Sequence, residues 1–303
     1  MNFSIMPSLL DPATCGEDIA RMASRMTEIA PALCSDCADY HIRFAVTRYV
    51  SPKKGIAMDR PYIIRHLQQI LADRTRRSGD MIEIVIAGSS DTGLLATCAH
   101  AACVLGSDFQ SRCRFIVLDR CKSPLALCTE FAKAHRLDVK VAQADLLDSS
   151  MRFDADVIIV HSFLRFIDRD QQTGLLRRLE TWLKPQGRLI ISQALRSGDR
   201  NHLDWEESRS KNWLALAKAA VASGALTITD DAALLLEKMS DANKVYQEQP
   251  GEVASADELR DLLLSAGLRE YSLEVMGQER PVGTGSAIQR VRALAVFGSS
   301  RDN

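Results

Sequence analysis

Residues 155–192 read ADVIIVHSFLRFIDRDQQTGLLRRLETWLKPQGRLIIS, and this run decides the fold. ADVIIV is a short, nearly continuous apolar run rich in β-branched residues, the pattern of a strand buried on both faces. QQTGLLRRLETWL spaces its leucines for a helix. Lys184-Pro-Gln-Gly187 then turns the chain into a second apolar strand, GRLIISQ. Strand, helix and strand in this order form a βαβ unit, which closes right-handed and makes the two strands parallel.

The same rhythm extends outward on both sides. MIEIVIAG, RFIVLDR and VKVAQADLL are three earlier strands, separated by the helical stretches TGLLATCAHAACVL and SPLALCTEFAKAHR. After residue 196 two helical segments interrupt the alternation, WEESRSKNWLALAKAAVASG and DDAALLLEKMSDANKVYQE. It resumes with SADELRDLLLSAGL, where Ser255 and Glu258 make a capping-box pattern and Gly267 a stop. YSLEVMG and RVRALAVF follow as two strands with no helix between them, which predicts an antiparallel final strand. Residues 1–80 carry only helical patterns, with Pro61 at the expected first position of the helix PYIIRHLQQILADRTRR. The expected architecture is a doubly wound, mostly parallel α/β sheet over 81–303. It carries a helical cap or arm over 1–80 and a helical insertion over 199–250.

Composition narrows the function. The 303 residues are 46% hydrophobic and 25% charged with a net charge of -1, which gives no general electrostatic pull toward nucleic acid or an anionic membrane. No basic segment leads into an apolar run, and no stretch has the ~20 apolar residues of a membrane span. The expected location is the cytoplasm, with eight cysteines kept as thiols. Cys34-Ser-Asp-Cys37 with His41 has the look of half a zinc site. No second closely spaced pair follows, so these side chains read as helix-packing thiols and no metal is expected.

In an open parallel sheet the ligand lies beyond the carboxyl ends of the strands. Strand one ends at Gly88-Ser-Ser-Asp-Thr-Gly93, a turn leading into a helix whose free amides can face polar groups. Asp119 ends the second strand, where a carboxylate can accept both ribose hydroxyls of an adenosine. Asp145 follows the third and can take an adenine amine, with Leu146 packing on the ring. His161 ends the fourth, where an imidazole can orient or deprotonate an acceptor. Each residue also has an ordinary reading as a cap or loop residue; the repetition at four strand ends favours a ligand edge.

This series, with Leu183-Lys-Pro-Gln-Gly187, resembles the class I S-adenosylmethionine-dependent methyltransferases over about residues 81–297. The resemblance implies a Rossmann-like methyltransferase fold with seven strands, the last antiparallel, and S-adenosyl-L-methionine as cofactor. It implies Gly88, Ser89, Ser90, Asp91 and Gly93 near the methionine part and Asp119, with Arg120 beside it, on the ribose. It further implies Asp145 and Leu146 on the adenine, and His161, Ser162 and Phe163 beside the sulfonium. The glycine motif is altered: Ile86 stands where the family has an acid, Ser90 replaces the second glycine and the third is displaced to Gly93. Asp91 is the candidate to replace the missing carboxylate.

The activity so implied is methyl transfer to a small molecule under the helical cap, by in-line displacement with His161 as base or orienter. Tyr49, Arg165, Arg196 and Trp205 are the candidates to contact the acceptor. The Asn-Pro-Pro-Tyr type motif of amino-methylating nucleic-acid enzymes is absent, against a nucleic-acid substrate. A homodimer through the helical arm is left open. So is a catalytically inactive methyltransferase-fold sensor or scaffold. A nicotinamide dehydrogenase would need Gly-x-Gly-x-x-Gly, which the turn lacks.

Overall fold

The computed structural model describes residues 7–34, 36–53, 55–77, 80–148, 150–195, 202–229, 234, 251–276 and 292–299. Seven strands form one sheet: β1 (Ile82–Ala87), β2 (Cys113–Asp119), β3 (Val139–Gln143), β4 (Ala155–His161), β5 (Leu183–Ala194), β6 (Leu268–Met276) and β7 (Arg292–Ser299). Their order is β3-β2-β1-β4-β5-β7-β6. The first five are parallel, and β7 enters antiparallel between β5 and β6.

Both faces of the sheet are buried, which is why its central strands read as nearly continuous apolar runs. Ile84 and Ile86 of β1 and Val157 and Ile159 of β4 face one core. That side is covered by α3 (Ile56–Arg77), α4 (Gly93–Val104) and α6 (Lys122–His135). Val85, Ala87, Ile158 and Val160 face the other, under α7 (Arg169–Trp182) and α9 (Ala256–Ser265). Helix α4 is apolar all round because α3 lies on its outer side: eleven of its residues are buried.

The helical N-terminal region divides in two. Ile63, Leu67 and Leu71 of α3 belong to the sheet's own core. The helices α1 (Ile19–Leu33) and α2 (Ala38–Val50) instead form a separate cluster with α8 (His202–Ala222) and Leu127 of α6. The change of rhythm at residue 80 is therefore not a change of core. Helix α3 also begins at Ile56, over a turn before the expected start, and carries Pro61 inside it.

Between α4 and β2 lies a further short helix, α5 (Ser107–Arg112). The capping box forms as the sequence suggests: Ser255 Oγ accepts from Glu258 N at 3.1 Å. At the Lys184-Pro-Gln-Gly187 turn the pairing of β4 with β5 shifts register between Ala155 and Val157. Gln186, where the family has glycine, adopts φ +63°. Gly187 is held to glycine by close approach, since a Cβ there would lie 2.9 Å from the Ala155 carbonyl oxygen. The second inserted helical segment of the sequence reading lies outside the described residues, Leu234 apart. No helix among the described residues is long and apolar enough to cross a membrane.

Candidate active site

The strand-end residues meet at one edge of the sheet. Asp119 pairs with Gln143 in the β2–β3 ladder, and its carbonyl accepts from Ala144 N at 2.9 Å, so Asp119 and Asp145 sit side by side at the carboxyl rim. The Asp119 carboxylate ties two turns together. Its Oδ2 accepts from Ser89 N at 2.8 Å and its Oδ1 from Cys121 N at 2.7 Å. Burial pushes its carboxyl above the ordinary value despite these amides. Asp145 is exposed and caps its own loop, accepting from Leu147 N at 2.8 Å. Arg120 is exposed beside them.

Leu146 does not fit its expected place against an adenine ring: it is buried in the core beneath α7, because the turn after β3 directs it inward. Asp91 is buried at the β1 turn. Its Oδ1 accepts from Gly93 N at 2.7 Å and its Oδ2 pairs with Arg48 Nη1 at 2.6 Å, both side chains being buried. The carboxylate thus anchors Arg48 from α2. Arg48 also pairs with Glu17, which receives Arg60 and the Thr92 hydroxyl.

The glycine turn is covered by the protein's own side chains. Gly88 has φ +82°, and a Cβ on it would meet the Phe163 ring at 2.5 Å; a Cβ on Gly93 would meet the Arg48 guanidinium at 2.9 Å. Ser89 is buried and donates its hydroxyl to the Asp91 carbonyl at 2.6 Å. Tyr40 of α2 reaches over the turn, its hydroxyl 3.3 Å from Ser90 Oγ, with its ring edge-on to Phe166.

At the end of β4, His161 Nε2 lies 2.8 Å from Asp59 Oδ2. The same oxygen accepts from the Ser192 hydroxyl and pairs with Arg292 Nη2, which also donates to Ser162 Oγ at 2.7 Å. Ser162 adopts φ +52°, a left-handed conformation that a non-glycine residue holds only where its surroundings impose it. Burial alone would raise the Asp59 carboxyl; the Arg292 guanidinium, then His161 and Ser192, hold it below the usual carboxylate value. Sequence reading missed Asp59 and Arg292. Asp59 stands in the first turn of α3, where an acid reads as a helix-dipole partner, and only packing of α3 on the sheet brings it to His161.

Among the acceptor candidates, Tyr49 packs against the α1–α2–α8 cluster instead of the strand ends. It is half-buried there. Arg165 lies in the short helix Leu164–Phe166, its guanidinium 5.8 Å from the Phe166 ring. Arg196 and the side chain of Trp205 lie outside the described residues.

The thiols of the α1–α2 corner also come together with a fourth group. Ligand atoms of Cys34, Cys37, His41 and Cys121 all lie within 4.8 Å of one another. The fourth member arrives from the β2–α6 turn, 84 residues beyond Cys37, which spacing alone could not disclose.

No family model matches the chain. It is similar to the carboxy-S-adenosyl-L-methionine synthase of Pseudomonas aeruginosa (strain UCBPP-PA14), 32% identical over 93 residues, covering 29% of this chain and 37% of that protein. The Pseudomonas putida (strain GB-1) protein of the same name is 31% identical over 121 residues, 35% of this chain and 48% of that one. The matches thus span less than half the length of these relatives. Among solved structures, an O-methyltransferase family protein from Burkholderia thailandensis superposes with TM-score 0.48 at 14% identity, covering 88% of this chain and 61% of that one. The S-adenosylmethionine-dependent methyltransferase SibL does so with TM-score 0.47 at 15% identity, covering 91% and 62%. The strand order and the antiparallel β7 make the sheet the Rossmann-like, mostly parallel seven-stranded sheet that the sequence resemblance implies, and part of the chain is similar in sequence to carboxy-S-adenosyl-L-methionine synthases.

Proposed function

We propose that the protein binds S-adenosyl-L-methionine at the carboxyl rim and transfers its methyl group to a small molecule beneath α2 and α3. One observation carries this reading: the Asp119 carboxylate spans the β1 and β2 turns. A carboxylate offers about four lone-pair directions. The Ser89 and Cys121 amides use two, leaving two for a ribose diol. Asp145 next to it is suited to an adenine amine.

In-line transfer needs little covalent help from the protein. The acceptor's lone pair attacks the methyl carbon as the carbon–sulfur bond breaks, and the electron pair passes to sulfur. The chief task is alignment, which can contribute several kcal/mol. His161 is the candidate to take the acceptor's proton. With its Nε2 proton directed to Asp59, the basic lone pair is left on Nδ1.

Calorimetric titration with S-adenosylmethionine and with its demethylated product tests the reading. Asp119→Ala should weaken binding at least tenfold, as charge-assisted hydrogen bonds worth about 1.5–3 kcal/mol are lost. Absence of binding by either compound would overturn it.

The cover of Gly88 by Phe163 and of Gly93 by Arg48 favours a second reading, a sensor or scaffold whose methionine subsite is filled by its own side chains. Binding of the cofactor without any methylated product across a metabolite pool would support it. The relatives' name motivates adding a carboxylated S-adenosylmethionine to the ligands tried.

A further inference from the structure

A cluster outside the cofactor edge carries a ligand set of its own. Cys34 closes α1 and Cys37 opens α2, so the two thiols flank one tight helix–helix corner. His41 stands four residues after Cys37, one helical turn along the same face. Its Nε2 is 3.4 Å from the Cys37 sulfur. Cys121, the N-cap of α6, completes the group with its sulfur 3.3 Å from that of Cys37.

We propose that Cys34, Cys37, His41 and Cys121 form a tetrahedral Cys3His site for Zn2+. The donor set is the one structural zinc takes, and Cys-x2-Cys is its usual spacing for a ligand pair. Bonds of about 2.3 Å to sulfur and 2.0–2.1 Å to nitrogen give tetrahedral edges of about 3.6–3.8 Å. The 3.3 and 3.4 Å separations expand to that with side-chain shifts of a few tenths of an ångström. Three soft sulfurs with one imidazole select zinc over magnesium or calcium, which require oxygen.

The surroundings fit a thiolate site. Ser123 directs its backbone N–H, at 3.4 Å, and its hydroxyl, at 3.0 Å, onto the Cys34 sulfur; such donors orient metal-bound thiolates. His41 is buried, and its Nδ1 has no partner among the described residues, so the ring's only polar neighbour in this cluster is sulfur. On binding, Zn2+ displaces three thiol protons and meets a neutral imidazole, leaving one net negative charge. Arg120, next to Cys121 in the chain, is placed to offset it.

The ion would have a definite mechanical task. Three ligands belong to the α1–α2 corner and the fourth to the β2–α6 turn, so zinc would pin the cap to the sheet. Cys121 also donates its backbone N–H to Asp119 Oδ1 at 2.7 Å, so the amide of the pinned residue itself holds that carboxylate. The site is thereby a positioning clamp for the carboxylate at the rim, and its existence does not depend on the proposed methyl transfer.

Zinc analysis of the reduced full chain, purified without chelator, tests the proposal. About one equivalent per chain is expected, falling to background in Cys121→Ser and unchanged in Cys103→Ser, a buried thiol elsewhere in the core. Substitution by Co2+ in the wild-type chain gives a second readout, independent of whether Cys121→Ser folds. Thiolate-to-cobalt charge transfer and tetrahedral ligand-field bands are expected. Equal zinc in wild type and Cys121→Ser would overturn the proposal. So would a Cys37–Cys121 disulfide in the native chain that, once reduced, takes up neither Zn2+ nor Co2+.

Discussion

Asp59 Oδ2 and His161 Nε2 are 2.8 Å apart, although 102 residues separate them in the chain. The contact joins the first turn of α3 to the end of β4 and makes a carboxylate–imidazole pair at the mouth of the sheet. Neither residue type alone signals the pair. The helix that covers the sheet delivers the acid to the histidine.

Replacing that acid tests both its stabilising and its orienting role. Asp59→Asn leaves the buried Arg292 guanidinium without its countercharge, and breaking such a buried pair costs about 3–5 kcal/mol. Denaturant titration measures the loss. Because the folded Asp59 carboxyl lies below its ordinary value of 3.8, its contribution is present above that pH and fades as acid titrates it through the lower folded value. The acid limb of the wild-type stability profile should therefore be steeper than that of Asp59→Asn.

If His161 accepts the acceptor's proton, His161→Asn should lower turnover by about 10²–10⁴. The fall should appear chiefly in kcat, since the substituted side chain keeps a polar contact with Asp59. Single-turnover product formation is the measurement. An unchanged kcat would assign His161 to packing of the site.

Asp119 gives a pH dependence of opposite origin. Burial raises its carboxyl above 3.8, so the proton is lost at a higher pH than for an ordinary aspartate. A ligand that needs the carboxylate should then bind well at neutral pH and weaken on acidification, beginning above the usual aspartate range. Titration of cofactor affinity against pH checks this. Asp119→Asn should bind weakly at every pH and abolish that acid limb.

Gly88 and Phe163 form a steric pair that a double-mutant cycle can resolve. Gly88→Ala combines a φ of +82° with a Cβ 2.5 Å from the ring, and a strained position of this kind costs about 1–3 kcal/mol. Adding Phe163→Ala removes the clash but not the backbone strain. The double variant should therefore recover part of the loss, with a coupling of at least ~0.5 kcal/mol.

Arg48 sits between two buried acids, Glu17 and Asp91. Arg48→Met leaves Asp91 without its cation, while Arg60 still neutralises Glu17. A loss of about 3 kcal/mol, near the low end for a broken buried pair, is expected in thermal or denaturant unfolding. Asp91→Asn added to Arg48→Met should restore part of it.

The order of strands and helices was legible in the sequence because each element states its own burial. β1 and β4 are nearly continuous apolar runs since both faces are covered, and the lack of a helical pattern in the sequence between the last two strands foretold the antiparallel pairing. Gly88, Asp119, Asp145 and His161 were legible as candidates for a related reason: a parallel sheet presents its strand ends along one rim. What the sequence alone determined was this local periodicity and the identity of the rim residues. Tertiary packing decided their partners. Helix α3 brought Asp59 to His161, α2 brought Arg48 to Asp91, and the β2–α6 turn brought Cys121 to Cys34, Cys37 and His41. A side chain's direction along one element is fixed by a period of two or 3.6 residues. Its neighbours from other elements depend on how whole faces pack, which no local spacing encodes.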